Sequence, residues 1–304
     1  MMENKRVPIF MLSIFLLLVC VVAKKIDGKI RFHSDDDIIM SDDRIPYGPQ
    51  RPLDCSDLRL RAADVGACIE MNNQFFGKKS KNPRLDDSDI LTDKKVHRRR
   101  RVVKHWLAWP KSSDGYVYVP YEFYTSISNI TSGFLKAIAD FRRVSCIRLV
   151  PRTAFHKNYI RVINDEGCYS YIGMQGGMQE LSLQAYTSCT RKGTAIHEIL
   201  HAVGFYHEMS RRDRDKYIDI HYDNIFTSRW KQFAKHEHTN GSVYGAEYDV
   251  HSIMHYGNYA FAINRESRTI TSLRNPSEVL GQRDGMSQND ILQLNRLYKC
   301  DQYL

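Results

Sequence analysis

Residues 197–208 read HEILHAVGFYHE and constrain this chain of 304 residues more than any other segment. In an α-helix, His197 and His201 lie four residues apart, so both imidazole rings project from one face and can reach one cation. Gly204 follows where a residue with positive φ ends a helix and lets the chain turn back. His207 can then complete a three-histidine zinc site with one open coordination position, as a catalytic zinc requires.

Glu198 lies beside the predicted ligands, at an offset that suits a proton acceptor better than a third ligand. We therefore expect Glu198 to be the general base that takes a proton from a metal-activated water. An HExxH sequence alone is equally compatible with an ordinary amphipathic helix. Gly204 and His207 at the required offsets make a chance match rare, so the pattern predicts a zinc-dependent hydrolase.

A second element, the segment HSIMHY at residues 251–256, follows the histidine motif. HExxHxxGxxH with a later methionine turn is the metzincin signature, and HEILHAVGFYHEMSRRDRD with SIMHYGNY resembles the astacin family over most of residues 102–300. The resemblance implies an α+β fold, a two-lobed metzincin-like catalytic domain with a twisted, mostly parallel sheet and a zinc-binding helix. It also implies an endopeptidase with one Zn²⁺ per catalytic domain and a protein or peptide substrate.

The resemblance assigns roles to four further residues. Tyr256 matches a tyrosine that ligates zinc in the resting enzyme and then stabilises the oxyanion, with an aromatic core residue as the alternative. Met254 is expected to pack beneath the zinc as structural support. Glu208 matches a glutamate that contacts the new N-terminus through water after maturation, with a surface carboxylate as the alternative. Arg283 matches an arginine of the S1′ pocket, which would favour Asp or Glu after the scissile bond, with a solvated loop arginine as the alternative.

The chain divides into three predicted regions. Residues 1–23 have a basic start, an apolar run and a small-residue cleavage site, which is typical of a signal peptide. The apolar run is short for a membrane span, and an uncleaved anchor is the alternative. Residues 24–101 are polar and contain acidic clusters such as Asp35–Asp37, and they are interpreted as a propeptide, because Arg98–Arg101 is a run of the type that proprotein convertases cut. Residues 102–304 are then the catalytic domain of a secreted, extracellular enzyme made as a zymogen and activated by a convertase.

Propeptides of the family that this chain resembles hold latency with an FxGD segment whose aspartate occupies the zinc. The nearest match here is Phe75-Phe76-Gly77-Lys78, in which lysine cannot replace a carboxylate ligand. The remaining candidates are another acidic residue or a free thiolate of Cys55 or Cys68.

The cysteines indicate an oxidising compartment. Of seven, Cys20 lies in the predicted signal peptide and leaves an even number in the exported chain, which suits disulfide formation. Zinc ligation by these residues is the less favoured alternative, because their spacings contain no CxxC pair. The family resemblance implies three pairs: Cys146 with Cys300, Cys168 with Cys189, and Cys55 with Cys68.

The formal net charge of +9 is concentrated locally. Residues 94–104 contain seven lysines and arginines, and without a nucleic-acid motif this run is better interpreted as a processing signal, so we expect no nucleic-acid partner. Two rival functions stay open: a catalytically inactive zinc-binding recognition protein of the same fold, and a basic protein that binds anionic glycans or nucleic acid. Asn129 and Asn240 begin N-x-Ser/Thr triplets and are candidate glycosylation sites.

Apolar spacing predicts the main elements of the catalytic part. Phe134, Ile138 and Phe141 recur at helical spacing, and the segments CIRLVPR and YIRVIND that follow are typical of strands. Ser287 and Asp290 form a predicted capping box at the start of a helix near the C-terminal end.

Overall fold

The structure, a computed structural model, describes residues 85–87, 89–91, 107–236, 243–264 and 266–304. Nine strands lie in these ranges: β1 Leu85–Asp87, β2 Ile90–Leu91, β3 Val117–Phe123, β4 Ile147–Pro151, β5 Tyr159–Ile163, β6 Cys168–Tyr171, β7 Met178–Leu183, β8 Ile218–Ile220 and β9 Ile270–Ser272. The α-helices are α1 Ser128–Val144, α2 Lys192–Ala202 and α3 Gln288–Leu297. Short 3₁₀ helices are Ser188–Thr190, Glu208–Ser210, Arg214–Lys216, Tyr222–Asn224, Thr227–Phe233, Val243–Gly245 and Asp301–Tyr303. None of the helices in the described ranges has the length and apolar character needed to cross a bilayer.

Seven strands form one sheet in the order β1-β2-β6-β7-β5-β3-β4. The neighbours β4, β3, β5 and β7 pair in parallel, and β6 turns back antiparallel to β7. β2 adds in parallel to the free side of β6, and β1 pairs antiparallel with β2. The sheet is therefore mostly parallel, as expected. A separate antiparallel pair is formed by β8 and β9.

Helix α1 forms where the apolar spacing predicts it. Ile130, Phe134, Ala137 and Phe141 are buried along one face, which is the spacing of an amphipathic helix on a core. The helix ends as Ser145 becomes extended and its hydroxyl donates to the Phe141 carbonyl at 2.7 Å. The predicted helix and the two strands after it are confirmed.

Helix α2 contacts α1 and strands β6 and β7 and is buried on all sides. Every residue from Gly193 to Ala202 is buried, which is typical of a helix in the middle of a core. The helix approaches the backbone of Arg283 so closely that residue 193 must be glycine, because a Cβ on Gly193 would lie 1.6 Å from the Arg283 carbonyl oxygen. A helix packed this tightly gives its side chains fixed positions.

Two disulfides lie in the described part of the chain. Cys146, just before β4, is bonded to Cys300, which follows α3. Cys168 of β6 is bonded to Cys189, in the 3₁₀ helix ahead of α2. These are two of the pairs that the resemblance implies. Cys55 and Cys68 lie outside the described residues.

Candidate active site

The end of α2 shows how the chain turns back after its second histidine. Gly204 has a φ of 109°, its N–H donates to the His201 carbonyl at 2.8 Å, and the Phe205 N–H donates to the Leu200 carbonyl at 3.0 Å. These two bonds define a Schellman motif, in which glycine at positive φ ends a helix. The chain then continues extended through His207, so the predicted turn is confirmed.

Backbone carbonyl groups orient two of the histidines. His197 Nδ1 lies 2.7 Å from the Ile253 oxygen, and His201 Nδ1 lies 2.7 Å from the Phe205 oxygen. A carbonyl oxygen only accepts hydrogen bonds, so each Nδ1 carries the hydrogen and each Nε2 of the neutral ring keeps its lone pair. That tautomer is the one that binds a metal through Nε2.

A fourth group, the carboxylate of Asp89, lies among the three histidines. Its Oδ2 is 3.1 Å from His197 Nε2, and its Oδ1 is 3.1 Å from His207 Nε2 and 3.6 Å from His201 Nε2. The side chain is buried. Burial alone would raise the pKa of Asp89, but the close approach of His207, His197 and His201 holds that pKa well below its usual range. Asp89 comes from the short turn between β1 and β2.

The four side chains fit a single metal ion. One ligand atom from each lies within 4.8 Å of all the others. A tetrahedron with bonds of about 2.0–2.1 Å separates its ligand atoms by about 3.3 Å, close to the distances between Asp89 and the histidines. Lone pairs of the Nε2 atoms face carboxylate oxygens, which is favourable only with a cation between them. Three histidines and a carboxylate are a donor set that zinc prefers.

Glu198 lies beside this cluster and does not belong to it. Its side chain is buried, and among the described residues its Oε2 has no hydrogen-bond partner. Burial, followed by the negative charge of Asp89, raises the pKa of Glu198 well above its usual range. A buried carboxylate next to a metal cluster, with an oxygen left for a further ligand, is suited to proton transfer.

The methionine turn is attached to helix α3 through the capping box. Ser287 and Asp290 exchange the two predicted bonds, Asp290 N–H to Ser287 Oγ at 3.0 Å and Ser287 N–H to Asp290 Oδ2 at 2.8 Å. Asp290 also accepts from the Ser252 hydroxyl at 2.6 Å and from the Ile253 N–H at 3.0 Å. Ile253 is the residue whose carbonyl orients His197, and Met254 next to it is buried in the main core. The turn thus links α3 to a histidine of the cluster.

Tyr256 lies against the third histidine. The ring centroids of His207 and Tyr256 are 4.5 Å apart, and Phe233 and Phe261 enclose the tyrosine ring on other sides. His255, the residue before it, is buried between Tyr248 and the backbone of Tyr256, with Tyr248 Oη 2.8 Å from its Nε2 and the Tyr256 oxygen 2.6 Å from its Nδ1. Burial lowers the pKa of His255 to about 4, so the ring is neutral near pH 7.

Arg283 and Glu208 are both buried, contrary to the surface alternatives for each. Arg283 Nη1 donates to the Gln282 and His255 carbonyls at 2.9 and 3.3 Å. Burial, followed by the positive charge of Arg283, lowers the pKa of His197, so Arg283 lies near the cluster. Glu208 accepts from Arg211 Nη1 at 2.8 Å and from the Asp249 N–H at 3.0 Å, and burial raises its pKa to about 7.

Comparison with known families decides where this arrangement belongs. Residues 102–299 match the family model of Astacin, a family of peptidases. This chain belongs to the astacin family. Among solved structures, the astacin-type hatching enzyme zinc-protease of Oryzias latipes, high choriolytic enzyme 1, superposes with a TM-score of 0.61 at 38% identity, over 66% of this chain and 98% of that chain.

Astacin relatives with curated sequences are of different lengths. High choriolytic enzyme 1 of Oryzias latipes is 40% identical over 205 residues, 66% of this chain and 74% of that protein. Embryonic protein UVS.2 of Xenopus laevis is 33% identical over 300 residues, 94% of this chain and 54% of that protein. Zinc metalloproteinase nas-8 of Steinernema carpocapsae is 37% identical over 67% of this chain and 47% of its own length. The chain therefore spans about half the length of several curated relatives that it matches.

The structure brings together the predicted histidines, Glu198, Tyr256, Met254 and Arg283, and it adds Asp89. Asp89 is one of the acidic residues that the sequence analysis leaves open as a latency group, but nothing in the run LDDSD before Ile90-Leu91 distinguishes it from its acidic neighbours. Asn129 lies in the first turn of α1 and is partly buried. Other predicted features lie outside the described residues: Asn240, Arg98–Arg101 and the segment 75–78.

Proposed function

We propose that this chain is a secreted zinc endopeptidase, made as a zymogen in which Asp89 closes the metal site. The observation that carries this proposal is the buried cluster of three histidines and one carboxylate, with Glu198 beside it. Membership of the astacin family supports the reaction class. The rival function, an inactive zinc-binding recognition protein, does not require a buried glutamate whose Oε2 has no hydrogen-bond partner among the described residues.

In the proposed mechanism, His197, His201 and His207 hold Zn²⁺, which when bound supplies Lewis-acid activation of water and of the scissile carbonyl. Glu198 accepts a proton from the attacking water and delivers it to the leaving amine. Its raised pKa suits the second of these steps, because a buried carboxylate holds a proton more readily. Tyr256, packed against His207, donates its phenol hydrogen to the developing oxyanion.

Latency in this proposal follows from the position of Asp89 and from the strand that carries it. Ile90 and Leu91 pair in parallel with Ser170 and Tyr171 at the edge of the sheet, so the segment occupies the side of β6 that an extended peptide would use. Cleavage after Arg98–Arg101 would release this segment and take the Asp89 carboxylate away from the three histidines. The new N-terminus near Val102 would then approach Glu208, which Arg211 and the Asp249 N–H hold in the described structure.

Arg283 carries the proposed preference for Asp or Glu after the scissile bond. Its guanidinium is buried and lies near the metal cluster, where a substrate carboxylate would gain more from a charged partner than at the surface. Arg283→Lys should lower kcat/KM for a peptide with Asp or Glu at that position far more than for the matched Gln peptide. An equal loss of kcat/KM for both peptides would show that Arg283 does not determine this preference, and the proposed reaction would be unaffected.

The reaction is tested with Glu198→Gln in the processed full chain. Gln has nearly the shape of Glu but cannot accept the proton, so we expect zinc content to stay at one ion per chain and kcat to fall by at least about 10²-fold. Peptide cleavage is measured by fluorescence and zinc by atomic absorption. Full activity in this variant would contradict the mechanism, and no cleavage by the processed wild-type chain would favour the recognition protein.

Latency is tested in the unprocessed chain with Asp89→Asn. Loss of the carboxylate removes the anionic partner of the histidines, so the unprocessed variant should cleave peptides that the unprocessed wild-type chain does not. Asp140→Asn is the matched control, because it removes the same charge from ion pairs with Arg143 and Lys192, neither of which belongs to the metal-ligand cluster. If the Asp89→Asn variant cleaves no peptide before processing and is fully active afterwards, Asp89 does not hold latency. The proposed reaction is unaffected by that outcome.

A further inference from the structure

We propose that Tyr248 and His255 are positioning residues that hold the backbone of Tyr256, so that its phenol group reaches the oxyanion in the correct place. This inference rests on the role proposed above for Tyr256. It goes beyond that role, because neither Tyr248 nor His255 touches the metal cluster or the substrate in the proposed mechanism.

The hydrogen bonds of His255 run in one direction. Its Nδ1 lies 2.6 Å from the Tyr256 carbonyl oxygen, which can only accept, so Nδ1 carries the hydrogen. Nε2 of the neutral ring then accepts from the Tyr248 hydroxyl at 2.8 Å. The chain of donors thus starts at Tyr248, passes through the imidazole and ends on the backbone of Tyr256. All three residues are buried, where such bonds compete little with water.

Further contacts hold the backbone on both sides of the Tyr256 Cα atom. Arg283 Nη1 donates to the His255 carbonyl at 3.3 Å. Gly281 packs on both of the carbonyl groups of His255 and Tyr256 so closely that an added Cβ would lie 2.6 Å from the His255 oxygen and 2.7 Å from the Tyr256 oxygen. Its φ of 60° is one that glycine adopts without strain. The backbone of Tyr256 therefore has little freedom to shift.

A fixed backbone leaves side-chain rotation as the way for the Tyr256 phenol to move. Stabilisation of an oxyanion depends on a donor held at the correct distance before the charge develops. If the imidazole no longer anchors the Tyr256 carbonyl, the phenol occupies a wider range of positions in the transition state. Substrate binding does not use this bond, so the loss should fall on kcat and leave KM nearly unchanged.

Tyr248→Phe removes the first donor and keeps the ring. We expect kcat of the processed full chain to fall by about fivefold to tenfold, the loss that corresponds to one buried hydrogen bond, with KM and zinc content unchanged. Tyr217→Phe is the matched control. The Tyr217 ring stacks on Tyr248 with centroids 4.9 Å apart and planes 5° apart, so this variant loses a hydroxyl next to the same ring and should keep wild-type kcat.

A double-mutant cycle decides whether Tyr248 acts through Tyr256. In a Tyr256→Phe background the phenol is already absent, so adding Tyr248→Phe should leave kcat unchanged. An equal fall in both backgrounds would show a merely structural role and overturn the proposal. If Tyr256→Phe alone has wild-type kcat, Tyr256 does not stabilise the oxyanion. That outcome contradicts the role proposed for Tyr256 and is distinct from an equal fall in both backgrounds, which contradicts the positioning role of Tyr248.

His255 supplies an independent check with two variants. Asn at this position places an amide nitrogen near the Nδ1 position and retains a donor for the Tyr256 carbonyl, whereas Leu retains none. We expect His255→Asn to keep most of the kcat that His255→Leu loses, with the melting temperature recorded for both. Equal kcat in the two folded variants would overturn the part of the proposal that assigns the donor to His255.

Discussion

The two observed disulfides close loops of very different length, which gives a quantitative prediction about stability. Cys146 and Cys300 are separated by 154 residues, and Cys168 and Cys189 by 21. In the chain-entropy model, removing the disulfide that closes the long loop lowers the free energy of unfolding by about 5 kcal/mol at 25 °C. Removing the disulfide that closes the short loop lowers it by about 3 kcal/mol. All four cysteines are buried, so the local packing lost on replacement by Ala is comparable. The difference, about 1.8 kcal/mol, then depends on loop length alone.

The measurement compares Cys146→Ala/Cys300→Ala with Cys168→Ala/Cys189→Ala. Both are made in the Glu198→Gln background, so that the chain cannot digest itself. Zinc-loaded protein is unfolded in urea at equilibrium, and the free energy of unfolding is obtained from the midpoint and slope. Equal losses for the two pairs, or a larger loss for the short loop, would refute the loop-entropy reasoning and point to local packing around the sulfur atoms instead.

Three further changes test other contacts. Gly193→Ala, which would stabilise an exposed helix by about 1 kcal/mol, should instead lower the melting temperature and zinc affinity, because the new Cβ meets the Arg283 carbonyl; a stabilised variant would contradict the close approach. Ser287→Ala should cost about 1 kcal/mol in urea unfolding through the lost cap, and Ser287→Gly only a few tenths. Removal of metal by a chelator should lower the melting temperature and abolish peptide cleavage, and added Zn²⁺ but not Mg²⁺ should restore both.

The local sequence pattern was sufficient to predict the metal helix and the turn at its end. The spacing of His197, His201 and Gly204 is a property of one helix and its end, so a helical period and one glycine predict it. The same holds for α1, whose apolar face is visible in Phe134 and Phe141, and for the capping box at Ser287. In each case the determining residues lie within a few positions of one another.

Asp89 could not be located by the same reasoning. It lies 108 residues before His197 in the sequence, and only the pairing of β2 with β6 brings the two together. Strand pairing between distant segments depends on the whole sheet, so an acidic run such as LDDSD has no local property that marks one member as a metal partner. The FxGD pattern also pointed to segment 75–78 instead.

Three further contacts of the site that sequence reasoning did not find share one physical feature: they are made by backbone carbonyl groups. Ile253 orients His197, Phe205 orients His201, and the Tyr256 carbonyl receives the hydrogen of His255. Every residue has a carbonyl, so the side chains at these positions carry no signal of the role, and only the fold determines which carbonyl faces which imidazole. Substitutions of Ile253 and Phe205 that preserve the backbone should therefore leave metal binding unchanged, whereas changes that move the backbone, such as Gly193→Ala, should reduce it.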